Sequence, residues 1–236
     1  MSKTIFITEE QAKLINEALN QTFSIDTLKS TNWKNGEEII RYCEQCNMYQ
    51  NGAGVGRTVF QIDDEKVIKI QKSNTDTPDQ NLSEVKAFQK CDNKMKEFVP
   101  YIYDYDRNNK NPLWIISEQV LTATYADFQK ILGIDFGSYN GEHNIRQMKR
   151  DLEDYSKYDG KTVNKFSVNL MDFLDAYGDG DLDMYSFAIK KNPWLQELVN
   201  ILDKGIAFYW ELEIIENWGL VTRNGQPKLI ILDSGI

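Results

Sequence analysis

Between Asn51 and Gln71 the chain has few options other than to fold back on itself. A glycine-rich turn opens at Asn51. Two short strand-like runs follow, Thr58–Ile62 and Lys66–Gln71, with Asp63-Asp64-Glu65 as a tight polar turn between them. Runs of this kind, bounded by turn residues, read as a β-hairpin. The second run carries Lys69 between Ile68 and Ile70. A lysine buried among apolar residues needs an anion, either a phosphate or a carboxylate. On an edge strand it would instead face solvent.

The hairpin sets the frame for the rest. Thr8 followed by Gln11 resembles a capping box, and Ala12, Leu14, Ile15 and Leu19 recur at helical spacing, so a helix is expected over 8–20. A second helix is expected near 36–46. After a polar loop at Ser73–Asp79, a helix is expected near Leu82–Cys91, then strands at Tyr101–Tyr105 and Leu113–Gln119. From Thr122 to about Phe208 the pattern is mostly helical, with helices near 123–132, 143–156, 165–176 and 193–204. Trp218–Val221 and Lys228–Leu232 flank Asn224-Gly225, a strong hairpin signal.

Composition narrows the class. The chain has 236 residues, 41% hydrophobic and 12% aromatic, which suits one large domain or two small lobes. The formal net charge is −9 and no basic run of the sort that grips a nucleic-acid backbone is visible, so no nucleic-acid partner is expected. No stretch of about 18 apolar residues occurs, so no membrane partner is expected either. Met1–Glu10 lacks a secretory pattern, and the 3 cysteines read as reduced thiols, so the expected compartment is the cytoplasm. Cys43 and Cys46 form a single CxxC that, with Cys91 and His143, would be the one zinc candidate; the alternative is two thiols on a helix.

Six local features then fall in one order. Gly52, Gly54 and Gly56 precede Arg57 and Val59. Glycines let a backbone approach phosphate oxygens closely, although most such loops are only turns. Lys69 follows on its strand. Glu84, in the next helix, is a carboxylate available to Lys69, or a solvated helix glutamate. Trp114-Ile115-Ile116-Ser117-Glu118-Gln119-Val120 is an apolar strand with a short polar link, suited to present backbone groups to a flat base. Asn217 opens Asn-Trp-Gly-Leu before the last hairpin, and Asp233 ends the last strand in Asp-Ser-Gly. Asn217 and Asp233 would offer oxygen ligands to a hard cation such as Mg²⁺.

This order resembles that of the protein-kinase superfamily. More narrowly, the chain is similar to uncharacterised kinase-like proteins of bacteriophage genomes. The matching positions are Gly52, Gly54, Arg57, Val59, Lys69, Gln80, Asn81, Glu84, Asn217, Trp218, Gly219, Asp233 and Gly235, over roughly 50–120 and 190–236. The resemblance implies an α+β, two-lobed kinase-like fold with a small antiparallel β-sheet lobe, one key helix and a reduced, mostly helical second lobe. The implied division is a helical extension over 1–50, an N-lobe over 51–120 and a C-lobe over 121–236. It also implies ATP and Mg²⁺ as ligands. Lys69, paired to Glu84, would take the α- and β-phosphates. Gly52, Gly54, Gly56, Arg57, Glu118 and Val120 would complete nucleotide binding, and Asn217 and Asp233 would hold the metal.

The pattern also breaks. The kinase catalytic loop places Asp five residues before its Asn, and here that position is Leu212. Glu211 and Glu213 flank it and are the substitute candidates for a catalytic base. The activation segment of ordinary kinases has no counterpart after Asp-Ser-Gly, so residues 122–208 or 1–50 are expected to complete the core. An acidic run, Asp175 to Asp183, has some spacing of a calcium loop but Tyr177 and Ser186 at liganding positions; an acidic helix–helix turn is the other reading.

Two functions compete. One is an atypical Mg²⁺·ATP-dependent phosphotransferase of phage type in the host cytoplasm. The other is a catalytically inactive pseudokinase that binds a host or viral protein, as a host-factor or defence-system inhibitor. A structural or virion-associated protein with a fortuitous motif order is the third reading.

Overall fold

The computed structural model describes residues 22–54, 56–73, 79–136 and 168–232. The helices expected over 8–20 and 143–156, His143, and the Asp233–Gly235 pair lie outside them. The described chain is a mixed α+β structure in two compact units. One comprises the residues up to Val85 together with Tyr101–Gln119; the other comprises Lys86–Pro100 and the residues from Val120 onward.

In the first unit, five strands form an antiparallel sheet in the order β1-β2-β3-β5-β4. They are β1 (Gln50–Ala53), β2 (Arg57–Gln61), β3 (Lys66–Gln71), β4 (Ile102–Tyr105) and β5 (Trp114–Glu118). The expected hairpin is β2–β3. Its turn closes because Asp63 Oδ1 accepts from the Glu65 N–H at 2.8 Å, an Asx turn that a short acidic side chain makes readily. The glycine-rich segment differs from the expected turn. Gln50–Ala53 is itself a strand, with Gly52 opposite Val59 and a register irregularity between Gln50 and Gly52. Pairing to β2 satisfies backbone groups that an open turn would leave to water.

Strand periodicity sorts the sheet into two faces. Phe60, Ile68, Ile70, Trp114 and Ile116 point to one face, where Leu28, Ile39 and Cys43 bury them. Leu28 belongs to α1 (Ile25–Ser30), a helix absent from the sequence expectation. Ile39 and Cys43 belong to α2 (Gly36–Gln45). Ser24 and Asn35 cap these two helices with their side chains. At Gly36 the helix start lies so close to β3 that a Cβ would overlap the Gln71 carbonyl oxygen. The other face carries Arg57, Val59, Val67, Lys69, Gln71, Ile115 and Ser117, as the cross-strand pairs show.

Helix α3 (Gln80–Lys90) contributes its start, through Val85, to the first unit. The second unit adds α4 (Tyr125–Leu132), α5 (Leu170–Gly178), α6 (Ser186–Lys191), α7 (Pro193–Asp203) and α8 (Tyr209–Leu212). A three-stranded sheet, β6-β7-β8, is built from β6 (Leu121–Thr122), β7 (Trp218–Arg223) and β8 (Gln226–Ile231). Asn224 and Gly225, at φ 53° and 72°, make the two-residue turn that the Asn-Gly pair predicts. Trp218 is fully buried against Phe128 and Trp194, and its Nε1–H donates to the Leu212 carbonyl at 2.8 Å. Among the described residues no helix is long and apolar enough to cross a membrane.

Candidate functional site

The polar face of the first sheet is where unusual chemistry concentrates. Glu84 is 3% exposed. Its Oε1 accepts from Lys69 Nζ at 2.5 Å, and its Oε2 accepts from Arg57 Nη1. The arrangement follows from register. Lys69 lies opposite Val59 and Arg57 opposite Gln71, so both cations leave adjacent strands on one face, toward the first turns of α3.

A carboxylate this deep is expensive to ionise. Burial is the largest single influence on Glu84 and pushes its pKa up; the charges and hydrogen bonds of Lys69 and Arg57 together outweigh it and hold the carboxyl below the usual glutamate value. Two cations from adjacent strands thus share the one buried carboxylate of Glu84.

A second set of buried polar groups fixes the cluster's frame. Gln71 Nε2 donates to the Gly56 carbonyl at 3.0 Å, and Gln71 Oε1 accepts from the Asn81 N–H at 3.2 Å. Asn81 Nδ2 donates to the Pro112 carbonyl at 3.0 Å. One glutamine thus ties the glycine segment to the start of α3. The Gly54 carbonyl accepts from Lys72 Nζ at 2.7 Å, and Gly54 N–H donates to the Arg57 carbonyl at 2.9 Å. A Cβ at Gly52 or Gly54 would meet no atom within 4 Å, so the backbone is sterically open there. Gly56 is buried.

The base-facing candidates are placed less tellingly. Glu118 ends β5, where its N–H donates to the Tyr101 carbonyl at 2.8 Å and its carboxylate accepts from the Tyr101 N–H at 3.1 Å. Val120 lies in the second unit, packed where a Cβ at Gly219 would overlap it.

In the second unit, Asn217 Nδ2 donates to the Glu211 carbonyl at 2.8 Å and to Glu211 Oε2 at 3.0 Å. Only an NH₂ can face two acceptors, so Oδ1 is the amide oxygen left for other partners. Leu212 is 0% exposed, which closes the position where a base would be expected. Glu213 meets Asp175 of α5. Burial first, and then the Asp175 carboxylate, raises its pKa. Asp233 lies outside the described residues. Of the expected pairs, Lys69 and Glu84 come together; Asn217 meets Glu211 instead, its expected companion Asp233 lying outside the described residues.

Other candidates resolve into structure. Cys43 is buried at α2, where burial and the neighbouring Cys46 push its thiol up to about 12; burial pushes Cys91 up to about 11. Among the described residues no group of three or more His, Cys, Asp or Glu is arranged to hold a metal. The acidic run after Asp175 is a helix end: the Asp181 N–H donates to the Ala176 carbonyl at 2.9 Å.

Sequence reasoning missed three features here: Arg57 as second partner of Glu84, Gln71 as the link to Asn81, and Glu211 as the holder of Asn217. The period-2 spacing of Lys69 and Gln71 was the available signal for the second.

No protein-family model matches the chain, and a search of curated protein sequences gives no match. Among solved structures, it is similar to SAICAR synthase from Saccharomyces cerevisiae, in complex with SAICAR, at 8% identity and a TM-score of 0.32 over 80% of this chain and 73% of that one.

Proposed function

We propose that this chain is a kinase-like nucleotide-binding protein whose first unit holds the phosphates of ATP. The observation that carries the reading is the Lys69–Glu84–Arg57 cluster, in which two partly buried cations from adjacent strands meet on one buried carboxylate. Glu84 holds both cations in place before any ligand arrives, so little side-chain entropy is lost on binding. Phosphate oxygens would be met by Lys69 and Arg57, and the open backbone at Gly52 and Gly54 permits close approach. Glu118 and Val120 remain the candidates for contact with the base.

Asn217 Oδ1 is a hard oxygen donor of the type that Mg²⁺ takes, and Asp233 is proposed as its companion. A bound Mg²⁺ would supply positive charge to phosphate oxygens during transfer. The lobe division over 51–120 and 121–236, a phage-type origin and a host-cytoplasm setting belong to the same proposal.

The test is thermal unfolding with and without ATP and Mg²⁺. A ligand bound only by the folded state stabilises it by about 2.7 kcal/mol at a hundredfold excess over Kd. A rise in Tm that is lost in Lys69→Ala supports the reading. No shift at millimolar ATP overturns it.

A second reading, a scaffold without phosphotransfer, is favoured by a specific observation. Leu212 is fully buried at the expected base position, and Glu211 is engaged by Asn217. Glu213 is then the remaining candidate base, its raised pKa suiting proton acceptance. Glu213→Gln should abolish phosphate transfer to any substrate; ATP binding without transfer in the wild type favours the scaffold.

A further inference from the structure

Beside β8 in the second unit lies a cleft of about 470 Å³. Its inner wall is aromatic: Phe98 and Trp194 stand with ring centroids 5.7 Å apart. That wall is held from behind. Trp194 packs on the buried Trp218 at 5.8 Å, and Arg223 donates to the carbonyls of Lys96 at 2.9 Å and Val99 at 2.8 Å, on either side of Phe98. Ile131, Leu132 and Leu229 complete an apolar lining. A preformed, largely apolar cleft with few polar groups, in the range of about 300–1,000 Å³, is the usual form of a small-molecule site.

The polar groups have a sign. Lys130 and Lys228 stand among the lining residues against a single carboxylate, Glu97, and neither lysine makes a salt bridge among the described residues. In a chain of net charge −9, this is a local excess of positive charge. The neighbouring strand also argues against one class of occupant. β8 is an outer strand of its sheet, but Pro227 has no N–H to give and Lys228 is exposed. Both features discourage the addition of another strand.

We infer that this cleft binds a small, flat aromatic anion. The ring system stacks on Phe98 and Trp194, and its acid group is met by Lys130 and Lys228. The site is independent of the Lys69 cluster.

The probe is 8-anilinonaphthalene-1-sulfonate, titrated into the full chain beside its neutral relative N-phenyl-1-naphthylamine. One saturable sulfonate site per chain is expected. The double substitution Lys130→Glu/Lys228→Glu, on exposed positions, should weaken the sulfonate at least tenfold and leave the neutral dye within twofold. Trp194→Ala should weaken both dyes, and Lys69→Ala should change neither. Sulfonate binding that ignores the charge reversal, or that depends on Lys69, overturns the inference. So does binding without saturation.

Discussion

Asn217 turns its amide nitrogen toward Glu211, donating to the backbone carbonyl at 2.8 Å and to the carboxylate at 3.0 Å. The amide nitrogen is thereby engaged, and the oxygen is the end left for another partner. Glu211 acts on its neighbour's orientation, a role different from the base suggested by its place beside Leu212. Glu211→Leu should cost about 1 kcal/mol, the usual net worth of such a bond at a half-exposed position, and Glu211→Gln should recover most of it because its amide oxygen still accepts. Urea unfolding with an unchanged m-value checks this.

Glu84 ties two strands of the first sheet to the start of α3. Glu84→Leu takes the shared buried carboxylate away from Lys69 and Arg57, and should cost about 3 kcal/mol. The triple substitution Arg57→Leu/Lys69→Met/Glu84→Leu removes the charges together and should restore most of the stability while abolishing any ATP-dependent shift. A triple variant as unstable as Glu84→Leu would show that the cluster is worth more than its charges.

The same carboxylate sets an acid limit. Its folded-state pKa is depressed, so the stability it contributes is present above the ordinary glutamate value, about 4.3, and is lost as pH falls through the lower folded value. Chemical denaturation from pH 7 downward should therefore show wild type losing stability below about pH 4.3 more steeply than the triple variant.

Glu213 behaves oppositely. Its pKa is raised in the fold, so its penalty is absent below the ordinary glutamate value and grows as pH rises through the folded value. Glu213→Gln should raise Tm at pH 7 and give no gain near pH 4. An equal effect at both pH values would place its cause in packing.

Gly36 tests the contact between α2 and β3. A Cβ there overlaps the Gln71 carbonyl oxygen, a backbone atom that cannot swing aside. Gly36→Ala should cost roughly 1–3 kcal/mol by forcing the helix off the sheet. Lys69 and Gln71 share that strand, so any ATP-dependent shift should shrink in the same variant.

Local signals were legible where the cause is local. The β2–β3 hairpin follows from alternation and an acidic turn, and the β7–β8 hairpin from Asn224-Gly225. The helices at 36–45 and 193–203 follow from capping residues and apolar spacing. Three short helices, at Ile25–Ser30, Ser186–Lys191 and Tyr209–Leu212, escaped detection. Each spans fewer than two turns, and at that length tertiary packing decides whether a helix forms.

The sequence by itself determined the strand order of polarity in the first sheet: alternation puts Ile68 and Ile70 on one face and Lys69 on the other. It also determined which residues could carry charge there. Tertiary structure alone decided that Arg57 and Lys69 converge on one carboxylate, because register between strands and the seating of α3 set distances that no spacing along the chain records. It decided likewise that Asn217 is held by Glu211 and that Leu212 is closed off in the core. Periodicity is a property of the chain, whereas the net charge of a buried cluster depends on which parts of the chain meet.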